Sequence, residues 1–167
     1  VQLFVLAGHR NMEGERAFVQ DLAQLKGKKA LLKDNASIAY KYSLGGGYKT
    51  SGAWEPLGLV DYYDTFGPEL SFAHALQSKL SVNLAIAKYT HSGSQIIDWT
   101  PEGSMAKDRH LYPRFIAFVK DSIKELEAKG HDVELAGVFY HLGENDMSFH
   151  PYRKDAAARL QAIVRQS

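Results

Sequence analysis

The sequence contains no cysteine, which excludes disulfides, thiol catalysis and cysteine-ligated zinc while fitting any redox compartment. No apolar run approaches the ~20 residues that a membrane span requires. Net charge is nearly absent: 20 Lys and Arg against 19 Asp and Glu leave +1, so no bulk field draws the chain to nucleic acid or to an anionic membrane. No repeat, low-complexity tract or Pro/Gly/Ser-rich linker divides the 167 residues, and a chain of this length reads as one domain. It opens on an apolar, strand-like segment with no signal peptide, which fits a trimmed amino terminus as well as a cytoplasmic protein.

Apolar residues make up 45% and charged residues 23%, the balance of a folded soluble chain. A chain of this size can bury about 70% of its unfolded surface without a metal or a crosslink. Val1 to Leu6 is a short apolar run stopped at Gly8, the form of a strand buried on both faces. Asp21 to Lys33 is mixed, interrupted by Gly27. Ile38 to Ser43 reads as a strand or an extended loop piece, and Gly45–Gly47 and Gly52–Gly58 frame a loop region around Trp54. Pro68 to Leu80 suits a helix with proline in its first turn. Val82 to Tyr89 is an apolar strand, and Ser92 to Asp108 a long loop. Leu111 to Lys129 places Phe115, Val119, Ile123 and Leu126 on one stripe before the Gly130 stop. Val133 to Tyr140 predicts another strand, and Tyr152 to Arg165 a last helix. Strands alternating with amphipathic helices predict an α/β fold with a mostly parallel sheet covered on both faces.

Ligands of such sheets bind beyond the carboxyl ends of the strands. Three predicted strands end in polar clusters: Gly8-His9-Arg10-Asn11-Met12, His91-Ser92-Gly93-Ser94, and His141-Leu142-Gly143-Glu144-Asn145-Asp146. Each combines a glycine with side chains able to donate or accept hydrogen bonds, and backbone amides in such turns can form an anion or oxyanion site.

These clusters resemble the SGNH-hydrolase carbohydrate acetylesterases, the sialate O-acetylesterase group and its family 6 relatives. Leu6 to Gly14 is similar to their first block, usually Leu-Ala-Gly-Gln-Ser-Asn-Met. Gly67-Pro68-Glu69 resembles their helix opening. Ser92-Gly93-Ser94 with Asp98-Trp99 resembles their oxyanion loop, and Val138 to Asp146 resembles a block written Trp-x-Gln-Gly-Glu-Ser-Asp. The resemblance implies a single domain over residues 1–167 with a three-layer α/β/α, flavodoxin-like SGNH-hydrolase fold, lacking its last segment. It also implies ester hydrolysis through an acyl-serine, no cofactor or metal, a carbohydrate or acetylated polysaccharide as partner, and a secreted or periplasmic location by family habit.

The resemblance departs from its pattern where the chemistry lies. The family's nucleophile position is Arg10, whose guanidinium is always protonated and has no lone pair to offer a carbonyl. The neighbouring Gln is His9, the Gln of the Gln-Gly-Glu block is Leu142, and no Asp-x-x-His block appears. Arg10 is then either a surface residue or a clamp for a carboxylate, sulfate or acetate. His9 is read as a packing residue with no identifiable carboxylate to orient it, and Asn11 as a brace through side-chain-to-backbone bonds. Gly93 either offers its amide to a ligand or only makes a turn. Glu144 matches the residue assigned in some relatives as the triad acid, or serves a buried network. Asn145 resembles an oxyanion donor of the wider group, and His141 packs near its strand end. The seven histidines show no metal-ligand spacing; Asp146, His141 and His150 are the one imaginable set. The clustered tyrosines, including Tyr62 and Tyr63, lack the basic interleaving that nucleic acid needs. Two functions follow as expectations: an acetylesterase-type domain with impaired or no activity, or a non-catalytic binder of a saccharide or small anion on the same rim.

Overall fold

A computed structural model describes residues 1–166. Six strands form one sheet: β1 (Gln2–Gly8), β2 (Asn35–Leu44), β3 (Lys49–Thr50), β4 (Glu55–Leu57), β5 (Leu84–Thr90) and β6 (Glu134–His141). The order is β3-β2-β5-β1-β6, with β4 also on β2. The four long strands run parallel, and β3 and β4 are antiparallel on β2. Among the described residues the α-helices are α1 (Arg10–Glu13), α2 (Val19–Gln24), α3 (Glu69–Gln77), α4 (Tyr112–Ala128), α5 (Glu144–Met147) and α6 (His150–Gln166).

Alternation along β1 explains the three layers. Leu3, Val5 and Ala7 face one side, where Phe115, Val119 and Leu126 of α4 and Ala156 and Ile163 of α6 complete a core. Phe4 and Leu6 face the other, with Leu70 and Ala73 of α3 and Leu22 of α2. Full burial of each such Leu, Ile or Phe contributes about 1.5–3 kcal/mol. The sheet, its mostly parallel direction and its two covered faces are those expected from the strand–helix alternation.

Boundaries moved for local reasons. Helix α6 starts at His150 because Pro151 fits the first turn, where no N–H is needed. Strand β2 extends back to Asn35 because β4 pairs with it there. α1 was not expected; four residues show no periodicity, and Gly14 closes the turn with φ of 99°. The strand expected over Val133 to Tyr140 is β6, the last on its side of the sheet, with Leu135 and Phe139 half exposed. Phe139 packs edge-on against Phe72 and tilted against Phe4, at ring separations of 5.1 and 6.4 Å. Among the described residues no helix is long and apolar enough to cross a membrane.

Candidate functional site

Because β5, β1 and β6 are parallel neighbours, their carboxyl ends share one rim, and backbone bonds lace them together. The His91 N–H donates to the Gly8 carbonyl and the His9 N–H to the His141 carbonyl, each at 3.1 Å. Gly8 is required here: a Cβ would collide with that His141 oxygen. All three polar clusters therefore meet.

His9 sits where β1 turns into α1, with only 2% of its surface exposed. The Gly93 N–H donates to its Nε2 at 2.7 Å. An amide nitrogen can only donate, so Nε2 is the bare nitrogen and the ring proton is on Nδ1. That proton faces Glu144 Oε2 at 3.7 Å, and neither atom has another partner among the described residues. The carboxylate missing from the sequence reading of His9 is thus Glu144, which the fold brings across from the start of α5. Its other oxygen accepts the Asn11 N–H at 3.2 Å. Asn11 braces the turn through this backbone amide, and its residue is exposed rather than folded back by its side chain.

Gly93 adopts φ of 80°, a left-handed conformation suited to glycine. Its carbonyl accepts Arg109 Nη1 at 2.8 Å and Asn145 Nδ2 at 3.4 Å. Asn145 therefore holds the turn, and the Gly93 amide, the expected oxyanion donor, is already committed to His9. Leu142 packs at the edge of the α4/α6 core. His141 is exposed, not packed; its carbonyl makes the rim contact. Arg10 corrects the clamp expectation: its Nε pairs with Glu15 Oε2 at 3.2 Å, and 53% of the side chain is exposed. The guanidinium lies on the surface.

Sequence reasoning missed a buried charged layer beneath this rim. The Glu13 carboxylate accepts the Gly45 N–H at 2.9 Å, the Thr90 hydroxyl at 2.6 Å and the Ser92 hydroxyl at 2.9 Å. Lys88, fully buried, donates to Glu69 Oε2 at 2.6 Å and to the Glu13 carbonyl at 3.1 Å. The signal was present: a lone lysine in an apolar strand must find an anion. Asp146, also fully buried, accepts the Ile96 N–H, and burial raises its pKa. Among the described residues no group of three His, Asp or Glu is placed to hold a metal.

The chain matches, over residues 1–166, the family model described as carbohydrate esterase, sialic acid-specific acetylesterase. The chain belongs to this family. No curated protein matches it. Among solved structures, this carbohydrate esterase domain is similar to a protein from Arabidopsis thaliana, with 19% identity and a TM-score of 0.72. It is also similar to a protein from Xanthomonas citri described as a novel carbohydrate acetylesterase, with 18% identity and a TM-score of 0.66. Each match covers 99% of this chain but only 66% and 38% of those proteins, so the domain spans less than two-thirds of either. At this identity the likeness speaks to the fold.

The His9–Gly93 bond makes the rim sensitive to acid. Burial lowers the His9 pKa below 6.5, with Glu144, Glu15 and Glu13 opposing and Arg10 adding. Protonated Nε2 would point a hydrogen at the Gly93 N–H, so the bond must break. In an NMR titration the Gly93 amide should shift together with the His9 ring, with a midpoint below 6.5, and should lose that step in His9→Gln. A midpoint at or above 6.5 would contradict the assignment. As pH falls through 6.5 the unfolded chain takes up this proton first. The histidine's contribution to stability is therefore complete above 6.5 and lost as pH falls toward the folded value.

Proposed function

We propose that this carbohydrate esterase domain holds a saccharide, or the acyl group it carries, on the rim without cleaving it through an acyl-serine. One observation supports this most: the Gly93 amide, which should meet a carbonyl oxygen, donates to His9 Nε2. Arg10 strengthens it, because the residue at the expected nucleophile position turns outward to Glu15.

Magnitudes give the reading its weight. Removing the nucleophile of a serine hydrolase costs about 10⁶ in turnover. One lost oxyanion donor costs a further ~10²–10³. What is left corresponds to at most about 10³-fold over water. A small-anion clamp centred on Arg10 finds no support, since its guanidinium lies outside the rim.

Turnover of an aryl acetate tests the proposal. Hydrolysis should exceed the buffer rate by no more than ~10³-fold, show no burst of released phenol, and be unchanged in Arg10→Ala. A stoichiometric burst would contradict the proposal.

A further inference from the structure

The rim holds one buried polar contact that is left unmade. His9 Nδ1 and Glu144 Oε2 are buried atoms with no hydrogen-bond partner among the described residues. They stop 3.7 Å apart, beyond hydrogen-bond range. The ring is held from its other nitrogen instead, by the Gly93 N–H at 2.7 Å. One imidazole stands between two partners and is bonded to one of them.

The frame around that ring is fixed. The second oxygen of Glu144 accepts the Asn11 N–H. The Gly93 carbonyl accepts Arg109 and Asn145, and Ser92 before it bonds to Glu13. The His9 backbone is tied to β6 through the His141 carbonyl. These ties leave the imidazole as the part that can turn. Gly93 is half-buried, so a ligand can reach its amide once the ring withdraws.

A proton decides between the two partners. A protonated imidazole carries N–H on both nitrogens and accepts from neither. It repels the Gly93 amide and gains a charge-assisted bond to Glu144, of about 2.8 Å. Burial opposes the charged ring most, and Arg10 on α1 adds to it, while Glu144 on α5, Glu15 and Glu13 favour it. Beyond β5, Arg109 lies 3.9 Å from Asp98 and His91 Nδ1 lies 2.9 Å from the Ser92 carbonyl. At the end of β6, His141 is exposed.

We propose that His9 is a proton-operated gate on Gly93: neutral, it occupies the amide; protonated, it turns to Glu144 and leaves the N–H to an acyl oxygen of a ligand. This rests on the holding reading above and adds the condition under which the rim holds. Opening restores one donor and supplies no nucleophile, so the acid form binds without cleaving. By linkage, the bound ligand must raise the pKa of His9 by the factor that protonation adds to its affinity.

The test uses the whole chain and methyl N-acetylglucosaminide, a neutral probe whose acyl group esterases leave intact, with methyl glucoside as the control. Affinity for the acylated probe should rise about tenfold as pH falls from about 7.5 to 6.5, because only the protonated fraction is competent. The glucoside should show no such rise. Calorimetry in two buffers of different ionisation heat should find about one proton taken up per probe bound at the upper pH. Without ligand, the exchange protection of the Gly93 amide should fall as the His9 ring titrates. His9→Gln should make probe affinity independent of pH, and Glu144→Gln should move the rise to lower pH; amide spectra report whether each variant is folded. A flat affinity, a rise that survives in folded His9→Gln, or a Gly93 amide still protected beside a protonated ring would overturn the gate. An amide that opens with acid while the probe fails to bind would overturn the holding reading and leave the gate standing. An acyl-serine burst would overturn only the non-cleaving reading.

Discussion

Lys88→Met should lower the free energy of unfolding by about 3–5 kcal/mol. Lys88 and Glu69 are both buried, and the ammonium is the carboxylate's close counter-charge at 2.6 Å. Removing it leaves Glu69 with the Gly67 N–H at 3.1 Å as its remaining hydrogen-bond partner among the described residues. A desolvated carboxylate held by a single neutral donor is an uncompensated charge, and its desolvation is the larger part of the loss. Removing both charges should behave differently. Lys88→Met combined with Glu69→Leu should recover most of the stability, because an apolar pair of similar volume carries no desolvation penalty. Urea unfolding with an unchanged m-value measures both. A loss below about 1 kcal/mol, the range of an exposed pair, would mean that Lys88 reaches water.

Glu13→Ala should cost about 3 kcal/mol, because it strands the Gly45 amide and the Thr90 and Ser92 hydroxyls, each unsatisfied buried donor costing about 1–3 kcal/mol with partial relief from water. The functional consequence is larger than the stability loss. The same carboxylate ties the Ser92–Gly93 turn to Gly45 and Thr90. Tyr62 has its pKa pushed up to about 12, first by burial and then by Glu13. In the variant its phenol should therefore titrate nearer its ordinary value of 10, and saccharide binding should be lost. Glu13→Gln keeps one acceptor oxygen but points an amide at existing donors, so it should fall between. If Glu13→Ala binds saccharide as tightly as the parent chain, the turn does not depend on this anchor.

The long strands and helices were legible because each runs over enough residues for its apolar pattern to emerge. Val1 to Leu6 has the form of a strand buried on both sides, and the Phe115–Leu126 stripe that of a helix face. The short elements were not legible: α1 and α5 have four residues each, too few for a period to emerge. The rim was legible in outline, since three glycine-bearing clusters followed three strands.

Its wiring was not. His9 and Glu144 lie far apart in sequence, and only the β1–β6 pairing makes Glu144 the carboxylate that faces His9. The direction of Arg10 depended on Glu15, five residues on, which no motif includes. Lys88 was passed over as one polar residue in an apolar strand, although burial on both faces of that strand demanded a partner. The sequence does not separate Tyr62 and Tyr63 from Tyr40 and Tyr42, yet Tyr40 and Tyr42 fill the core whereas Tyr63 stands exposed at a cavity.

The most direct measurement is the intact mass of the chain after incubation with an excess of an activated acetyl donor at neutral pH, followed by peptide mapping. The account predicts an unmodified mass at every serine and threonine, with any labelling confined to lysines and the amino terminus, as simple aminolysis would give. One acetyl group per chain on a rim hydroxyl, formed quickly and removed by water, would show that an acyl-enzyme still forms and would contradict it.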